Sequence, residues 1–325
     1  MNITDNALNV LAAKTYKGIG RAWIVNNIKG NESADRLVML FNQSTKEGVS
    51  TSVREFEGRK QSIRSRLEQS AGIIDGVIAF GDPNFPLCRG KVKKNSEKPV
   101  VLFYRGDLRL LEEQNKNIAV IGLLNPDEDI AAFEKRVVSS LVSHGVTIVS
   151  GLALGCDSIA HEQAILSGGK TVAILPGPIT DILPQSNKVL AEAIVKHSGL
   201  LVSEYYERVK SKKELSSRYV ERDRLQALFS DWVILSASYA ENNLGNDSGS
   251  RHAMKYALSY SIPRAIMYDP EVHVDNPKYD LNRQLIREDY RIIVITNNNF
   301  EEALEKIVSG QSKTTRNSAI QTSLF

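Results

Sequence analysis

The sequence predicts an α/β fold: a doubly wound, mostly parallel sheet with a small N-terminal helical region and a short disordered C-terminal tail. Short apolar runs rich in valine and isoleucine recur along the middle of the chain, and segments with helical spacing separate them. Strands that alternate with helices in this way favour a parallel sheet with right-handed crossovers. The 325 residues, 42% of them hydrophobic, are enough for one large domain with a sizeable core.

Seven apolar runs are short enough to be strands buried on both faces of the sheet. These runs are Ile118–Gly122, Thr147–Gly151, Thr171–Gly177, Leu200–Tyr205, Trp232–Ala237, Ala265–Tyr268 and Ile292–Thr296. The segments between them repeat apolar residues at helical spacing, as Phe133, Val137 and Leu141 do in the first. The predicted helices are Ile130–Ser143, Asp157–Leu166, Lys188–Lys196 and Gly249–Tyr260.

The chain divides into three zones. Residues 1–70 are polar, with a pattern typical of helices and no strong strand, whereas residues 72–308 hold the alternation of strands and helices. Residues 309–325 are rich in Ser, Thr, Gln and Asn and contain no acidic residue. We expect this last zone to be a flexible tail.

Composition excludes several classes of protein. Lys+Arg is 41 against Asp+Glu at 38, so a nucleic-acid site must be a local basic patch and not a wholly basic surface. Cys88 and Cys156 form no CxxC pair and no histidine cluster accompanies them, so neither a metal site nor a disulfide framework is indicated. The sequence has no secretory signal pattern and no apolar run long enough to span a membrane, and we expect a soluble, cytoplasmic protein without a cofactor.

Three small-residue loops follow predicted strands and are candidates for binding phosphate. In the clearest, Ser150, Gly151, Ala153 and Gly155 join a strand to a helix that starts near Asp157. Glycine lets the backbone approach a ligand, and a helix N-terminus offers unpaired N–H groups to an anion. The alternative is that the glycines only permit the turn while Asp157 caps the helix. The other two loops are Leu175–Asn187 and the segment from 246 to 252.

Basic residues are concentrated between Arg208 and Arg224, a stretch with seven basic and three acidic residues. Arg222 and Arg224 could grip phosphate, because a guanidinium donates two parallel hydrogen bonds. The alternative is a solvated helix face on which Glu221 and Asp223 neutralise them. A second cluster, Arg89–Lys94, is expected to be a flexible solvated loop, and contact with DNA is the alternative.

These pieces occur in an order that resembles the DprA/Smf family of DNA-processing proteins. The resemblance rests on Gly81–Pro86, Pro99–Asp107, the central motif Ser150–His161, Pro184–Asn187, Ser203–Tyr205, Arg222–Arg224 and Asp247–Ser250. It implies a Rossmann-like core that binds single-stranded DNA, a homodimer, loading of a RecA-type recombinase onto DNA, and no catalysed reaction. With the loops and basic residues, it singles out as candidate nucleic-acid contacts Gly122, Ser150, Gly151, Ala153, Gly155, Asn187, Lys188, Arg222, Arg224, Ser248, Gly249 and Arg251.

The sequence departs from the family pattern in three places. Gly122-Leu123-Leu124 stands where the family has Gly-Ser-Arg, which removes a phosphate-binding arginine and a hydroxyl. Arg222-Asp223-Arg224 replaces Arg-Asn-Arg and adds a negative charge, whereas Arg251-His252 could restore positive charge. Weaker or altered DNA binding follows as an expectation. Because little chain remains after residue 308, we also expect no C-terminal winged-helix domain of the kind that some relatives carry.

Both ends of the chain carry a further candidate. Lys17–Arg21 resembles a helix-hairpin-helix turn within a small helical domain, although a plain turn between helices explains it as well. The last residues, Gln321, Ser323, Leu324 and Phe325, resemble the peptide by which bacterial DNA polymerases dock on the sliding clamp. An accidental match in a disordered tail is the alternative.

Two other functions compete with DNA binding. A sensor of a nucleotide or nucleotide derivative would need fewer phosphate contacts than a DNA track, and the missing Ser-Arg after Gly122 favours it. An enzyme that cleaves nucleoside monophosphates would carry a Pro-Gly-Gly-x-Gly-Thr loop, whereas this chain has Pro176-Gly177-Pro178. The sequence therefore favours a binding protein.

Overall fold

The computed structural model describes residues 1–44, 50–241 and 249–310. Within these ranges a single sheet has the strand order β1-β2-β3-β7-β6-β5-β4-β8-β9-β10. The strands are β1 Asn2–Ile3, β2 Gly76–Ala79, β3 Val101–Gly106, β4 Asn117–Ile121, β5 Thr147–Ser150, β6 Thr171–Leu175, β7 Leu200–Ser203, β8 Trp232–Leu235, β9 Arg264–Met267 and β10 Ile293–Ile295.

The sheet is doubly wound and mostly parallel, which confirms the predicted fold class. The chain runs from β4 through β5 and β6 to β7 in one direction and then crosses to β8, which pairs with the other side of β4. β3 is the exception among the paired strands, because it is antiparallel to both β2 and β7. The order of strands therefore reverses between β4 and β8, where such sheets form a crevice at the carboxyl ends of their strands.

The helices cover both faces of the sheet. They are α1 Asp5–Ala13, α2 Arg21–Asn27, α3 Ala34–Ser44, α4 Val53–Glu68, α5 Glu128–Ser143, α6 Cys156–Leu166, α7 Lys188–Lys196, α8 Lys212–Leu228, α9 Ser250–Ser259, α10 Asp280–Glu288 and α11 Phe300–Ser309. The four predicted helices are α5, α6, α7 and α9. The start of α5 precedes its predicted start by two residues because Asp127 caps it, accepting a hydrogen bond from Ile130 N at 3.0 Å.

The N-terminal region contributes to the sheet, which its polar sequence did not predict. β1 pairs in parallel with β2, which follows α4. Leu8, Phe41 and Phe56 are buried in the same hydrophobic cluster as Val77 of β2 and Phe103 of β3. The four helices of residues 1–70 therefore share their core with the edge of the sheet.

The burial of the Arg89 side chain contradicts the expectation of a solvated loop at 89–94. Its guanidinium is buried and donates to the carbonyls of Glu112, Glu113 and Asn115 at 2.8, 3.1 and 3.0 Å. It also contacts Asp231 at 2.8 Å. A guanidinium with these partners ties the segment to the sheet, and its charge is not available to DNA.

No helix in the described ranges has the length and apolar character needed to cross a membrane. Across the same residues, no group of three or more His, Cys, Asp and Glu side chains could hold a metal ion.

Candidate nucleic-acid interface

A cleft of about 690 Å³ opens where the strand order reverses. The carboxyl ends of β4 and β5 form its floor, α8 forms one wall, and the start of α9 closes it. Its lining consists of Ile121, Gly122, Leu124, Ala153, Leu154, Asp157, Pro184, Ser216, Tyr219, Val220, Arg222, Asp223, Gln226, Gly249, Ser250 and His252. A volume in this range suits a nucleotide-sized ligand.

The turn between β5 and α6 requires a glycine at 155. Gly155 has φ +73°, and a Cβ there would collide with the backbone of Leu123 and Leu124. The carbonyl of Leu123 accepts a hydrogen bond from Cys156 N at 2.9 Å, so this turn is fastened to the loop after β4. The predicted β5–α6 turn therefore lies beside the loop after β4 on the floor of the cleft.

Two backbone N–H groups of the β5–α6 turn, those of Gly151 and Ala153, have partners within the chain. Asp157 accepts from Ala153 N at 3.3 Å. The side-chain amide of Gln226 has one orientation in which both its nitrogen and its oxygen find hydrogen-bond partners, and in that orientation the oxygen accepts from Gly151 N at 3.0 Å. The turn faces the cleft. The predicted capping of the helix by Asp157 is wrong, because α6 begins after Gly155 without a side-chain cap and the Asp157 carboxylate accepts from the preceding turn instead.

Arg222 lies over Gly151 and between two aspartates. Its Nη1 is 3.2 Å from Asp157 Oδ2, and its Nε is 3.5 Å from Asp223 Oδ1. All three side chains are less than a tenth exposed. Burial raises the pKa of Asp223 to about 7, with Arg222 opposing the rise and Asp157 adding to it.

Arg224 is not among the residues that line the cleft. Its guanidinium is 1% exposed, contacts Glu204 and the carbonyl of Glu97, and lies 3.4 Å from Glu221. Arg222 and Arg224 are two positions apart on α8, so they point in different directions from the helix axis. The structure therefore brings one of the two predicted arginines to the cleft.

Two predicted contact residues hold the cleft together through their own hydrogen bonds. Asn187 donates to the carbonyls of Leu152 and Ala153 at 2.9 and 3.1 Å and to Ser158 Oγ at 2.8 Å. Ser150 is fully buried and donates to the carbonyl of Val120 at 2.7 Å. Both side chains fix the position of the turn behind the surface of the cleft.

The remaining predicted residues fall into three groups. Gly122, Gly151, Ala153, Gly155 and Gly249 lie in or beside the cleft. Lys188 is exposed at the start of α7 and is not among the lining residues, and Arg251 contacts Glu241 at 3.2 Å. Ser248 and the tail residues Gln321, Ser323, Leu324 and Phe325 lie outside the described residues.

Several lining residues were not predicted from the sequence. On α8, Tyr219, Asp223 and Gln226 lie on the face that also carries Arg222. Their spacing of three and four residues indicates a common helix face and could have revealed them. Leu154 and His252 belong to two of the three predicted loops and Leu124 belongs to the loop after β4, but no periodic pattern marks them.

A buried carboxyl group lies behind the cleft floor. Glu134 of α5 is fully buried near Cys156 and Ser236, both of which also crowd Gly122. Burial raises the pKa of Glu134 to about 8. The group is therefore mostly neutral at physiological pH.

The fold and the cleft define a class of protein. A crevice at the reversal point of a doubly wound sheet, bounded by glycine turns and helix N-termini, is the binding site of Rossmann-like proteins. Within this class, the chain belongs to the family of DNA recombination-mediator protein A, whose model matches residues 76–305. The resemblance inferred from the sequence motifs is thereby confirmed.

Curated relatives carry the names DprA and Smf. The chain is 34% identical over 148 residues to the DNA processing protein DprA of Bacillus subtilis, covering 44% of this chain and 47% of that protein. It is 31% identical over 182 residues to the protein Smf of Synechocystis, covering 55% and 42%. The chain thus spans about half the length of the curated relatives it matches.

Two solved structures share the fold. DNA processing protein A from Streptococcus pneumoniae superposes with a TM-score of 0.68 at 22% identity, covering 94% of this chain and 99% of that one. DNA processing protein A from Helicobacter pylori gives a TM-score of 0.55 at 27% identity, covering 71% and 96%, and its structure concerns a single-stranded DNA binding mode. These likenesses extend the family match to the three-dimensional fold.

Proposed function

We propose that this protein binds single-stranded DNA in the cleft between β4, β5, α8 and α9 and acts as a recombination mediator without catalysing a reaction. The supporting observation is that the family match, residues 76–305, includes every element that forms the cleft. The Helicobacter pylori relative, described by its single-stranded DNA binding mode, supports the same ligand.

The cleft suits a strand with unpaired bases. Leu124, Leu154, Pro184 and Val220 offer apolar surface, and Tyr219 adds an aromatic ring on which a base can stack. The start of α9, with Ser250 and His252, presents the positive end of a helix to a phosphate. Arg222 supplies the guanidinium, so bases and backbone both find partners.

Fluorescence anisotropy with labelled single- and double-stranded oligonucleotides at two salt concentrations tests this proposal. We expect preference for the single strand and affinity that falls steeply with salt, because phosphate contacts release counterions. Arg222→Gln should weaken binding to all sequences alike. Lys170→Gln removes the same charge from an exposed site at the amino end of β6, whereas the cleft lies at the carboxyl ends of the strands, and this variant should bind like the wild type. Equal affinity for both DNA forms would reject the proposal.

The partners form a further part of the proposal. The chain acts as a homodimer in the cytoplasm, loads a RecA-type recombinase onto single-stranded DNA, and serves DNA uptake, recombination or mobile-element defence. Family membership supports these roles. Light scattering measures the dimer, and strand exchange by recombinase on protein-coated DNA measures loading. A rate of strand exchange unchanged by the protein would contradict loading.

The C-terminal peptide is proposed to dock on the DNA polymerase sliding clamp, on the strength of Gln321, Ser323, Leu324 and Phe325. A short peptide that presents a glutamine and a Leu-Phe pair suits a pocket with polar and apolar parts. A pull-down with purified clamp compares the intact chain with one cut after Ile320. Equal recovery rejects this interaction.

A nucleotide sensor is the second candidate function. The leucines at 123 and 124, with Leu124 exposed at the cleft, favour it because they leave fewer phosphate partners there. Calorimetry with mononucleotides and oligonucleotides distinguishes the two functions. Tight binding of a mononucleotide with no gain on lengthening the ligand would support the sensor.

A further inference from the structure

The cleft contains one guanidinium and two carboxylates among its described lining residues. Arg222 Nη1 lies 3.2 Å from Asp157 Oδ2, with hydrogen-bonding geometry. Its Nε lies 3.5 Å from Asp223 Oδ1 and makes no hydrogen bond there. One positive charge therefore faces two negative charges when both aspartates are ionised, and a phosphate entering the cleft meets a net negative group.

Asp223 is directed at the place where an anionic ligand would lie. Its Oδ2 is 3.5 Å from the position of a Cβ on Gly249, the residue that precedes α9. Its Oδ1 accepts a hydrogen bond from the Gln226 amide at 3.2 Å. Asp157 is similarly placed at the start of α6, so each helix N-terminus that faces the cleft has a carboxylate of the protein beside it.

Charged and titratable groups surround Asp223 from three helices. α8 contributes Arg222 and Tyr219, α6 contributes Asp157, and α9 contributes Tyr256 and the cleft residue His252. Of these, Arg222 stabilises the ionised form of Asp223 and Asp157 opposes it. Because Asp223 is 6% exposed, water screens these interactions little.

We propose that Asp223 limits the affinity of the cleft for phosphate: the ionised carboxylate engages Arg222 and repels the ligand, and the neutral carboxyl group admits it. This inference rests on the proposed binding of single-stranded DNA at the same site. It assigns the Asp223 side chain a role in setting affinity, separate from the side chains that contact the strand.

The pH dependence follows from the sign of the shift. The pKa of Asp223 is raised to about 7, so acidification through neutral pH removes its negative charge. If the neutral form alone binds, affinity for DNA rises up to about tenfold from about pH 8 to about pH 6. Burial lowers the pKa of His161, which lies below the cleft, to about 3, so that histidine stays neutral throughout.

The test measures anisotropy of a labelled short oligodeoxythymidylate at constant ionic strength across this pH range. Asp223→Asn should bind at pH 8 about tenfold more tightly than the wild type and lose most of the pH dependence. Glu305→Gln removes an exposed carboxylate from α11 and should follow the wild-type profile. Asp223→Ser gives a second neutral variant if the asparagine protein does not fold.

His252 is the residue that could produce the same profile, because histidines gain charge as pH falls in this range. In His252→Gln, a retained tenfold rise on acidification supports the role of Asp223. A profile that survives in Asp223→Asn and disappears in His252→Gln overturns it. Failure of the wild type to bind oligodeoxythymidylate at any pH would instead reject the proposed function, so the two failures are distinguishable.

Discussion

The guanidinium of Arg222 occupies the space where any other side chain at position 151 would place its Cβ. Gly151 is therefore required for the contact between α8 and the β5–α6 turn. The same contact directs Arg222 Nη1 towards Asp157. The sequence predicted that Gly151 contacts a ligand. In the structure, its missing side chain makes room for the guanidinium of Arg222.

Gly151→Ala should displace Arg222 and break its contact with Asp157. We expect a loss of about 1–3 kcal/mol in the free energy of unfolding, because a methyl group is forced into occupied space. Gly58→Ala is the control: Gly58 lies in α4 with open space around it, and alanine there should add about 0.5–1 kcal/mol. Urea denaturation measures both changes. Equal stability of Gly151→Ala and the wild type would contradict the packing.

Arg89→Lys should destabilise the protein although charge is conserved. Lysine cannot reproduce the fork that reaches three carbonyls and Asp231, and we expect a loss of about 2–4 kcal/mol. Lys93→Gln changes an exposed residue of the same segment and should leave the melting temperature unchanged. Loss of DNA affinity at full thermal stability would show that Arg89 contacts DNA after all.

Arg224→Gln should act on stability and not on DNA binding. It leaves Glu204, which is 5% exposed, without its buried partner, and the expected loss is about 2–4 kcal/mol. Lys213→Gln, at an exposed position of α8, should change stability little. The decisive measurement is oligonucleotide affinity per folded molecule, and a marked decrease in Arg224→Gln would place Arg224 in the interface.

Glu134→Gln should stabilise the protein at alkaline pH. The pKa of Glu134 is raised from 4.5 to about 8, so between these values the folded state holds a proton that the unfolded state has released. The free energy of unfolding of the wild type therefore falls as pH rises through this interval, by about 3–5 kcal/mol above pH 8. Glutamine does not titrate, so the variant does not lose this stability. Urea unfolding at about pH 5 and about pH 9 measures the difference, with Glu162→Gln on the exposed face of α6 as control. An equal difference at both pH values would refute the assignment.

Local pattern was sufficient for the central strands and their helices. The apolar runs Thr171–Gly177 and Leu200–Tyr205 predicted β6 and β7, each of which starts at the predicted residue and ends two residues earlier. Lys188–Lys196 agrees with its prediction at both ends. β1 was not predicted, because a two-residue strand is defined by its pairing with β2 and not by its own residues. The antiparallel insertion of β3 likewise depends on hydrogen bonds to β7 and has no local signal.

The candidate site was predicted less completely than the fold. The turn at Gly151–Gly155 and Arg222 were identified because glycine and arginine have distinctive chemistry. Tyr219 and Gln226 were missed, since each acquires a role only through neighbours from other elements. Arg224 looked equivalent to Arg222 in the sequence. In the structure Arg224 is paired with Glu204, whereas Arg222 faces the cleft.

The sequence by itself determined the class of fold, the family and the position of the cleft loops, because apolar periodicity and turn-forming residues act over a few neighbouring positions. Only the tertiary structure decided which charged side chains form ion pairs inside the protein. Arg222 meets Asp157 across 65 positions and Arg89 meets Asp231 across 142. Ion pairing depends on distance in space and on burial, and neither is written in the local order of residues.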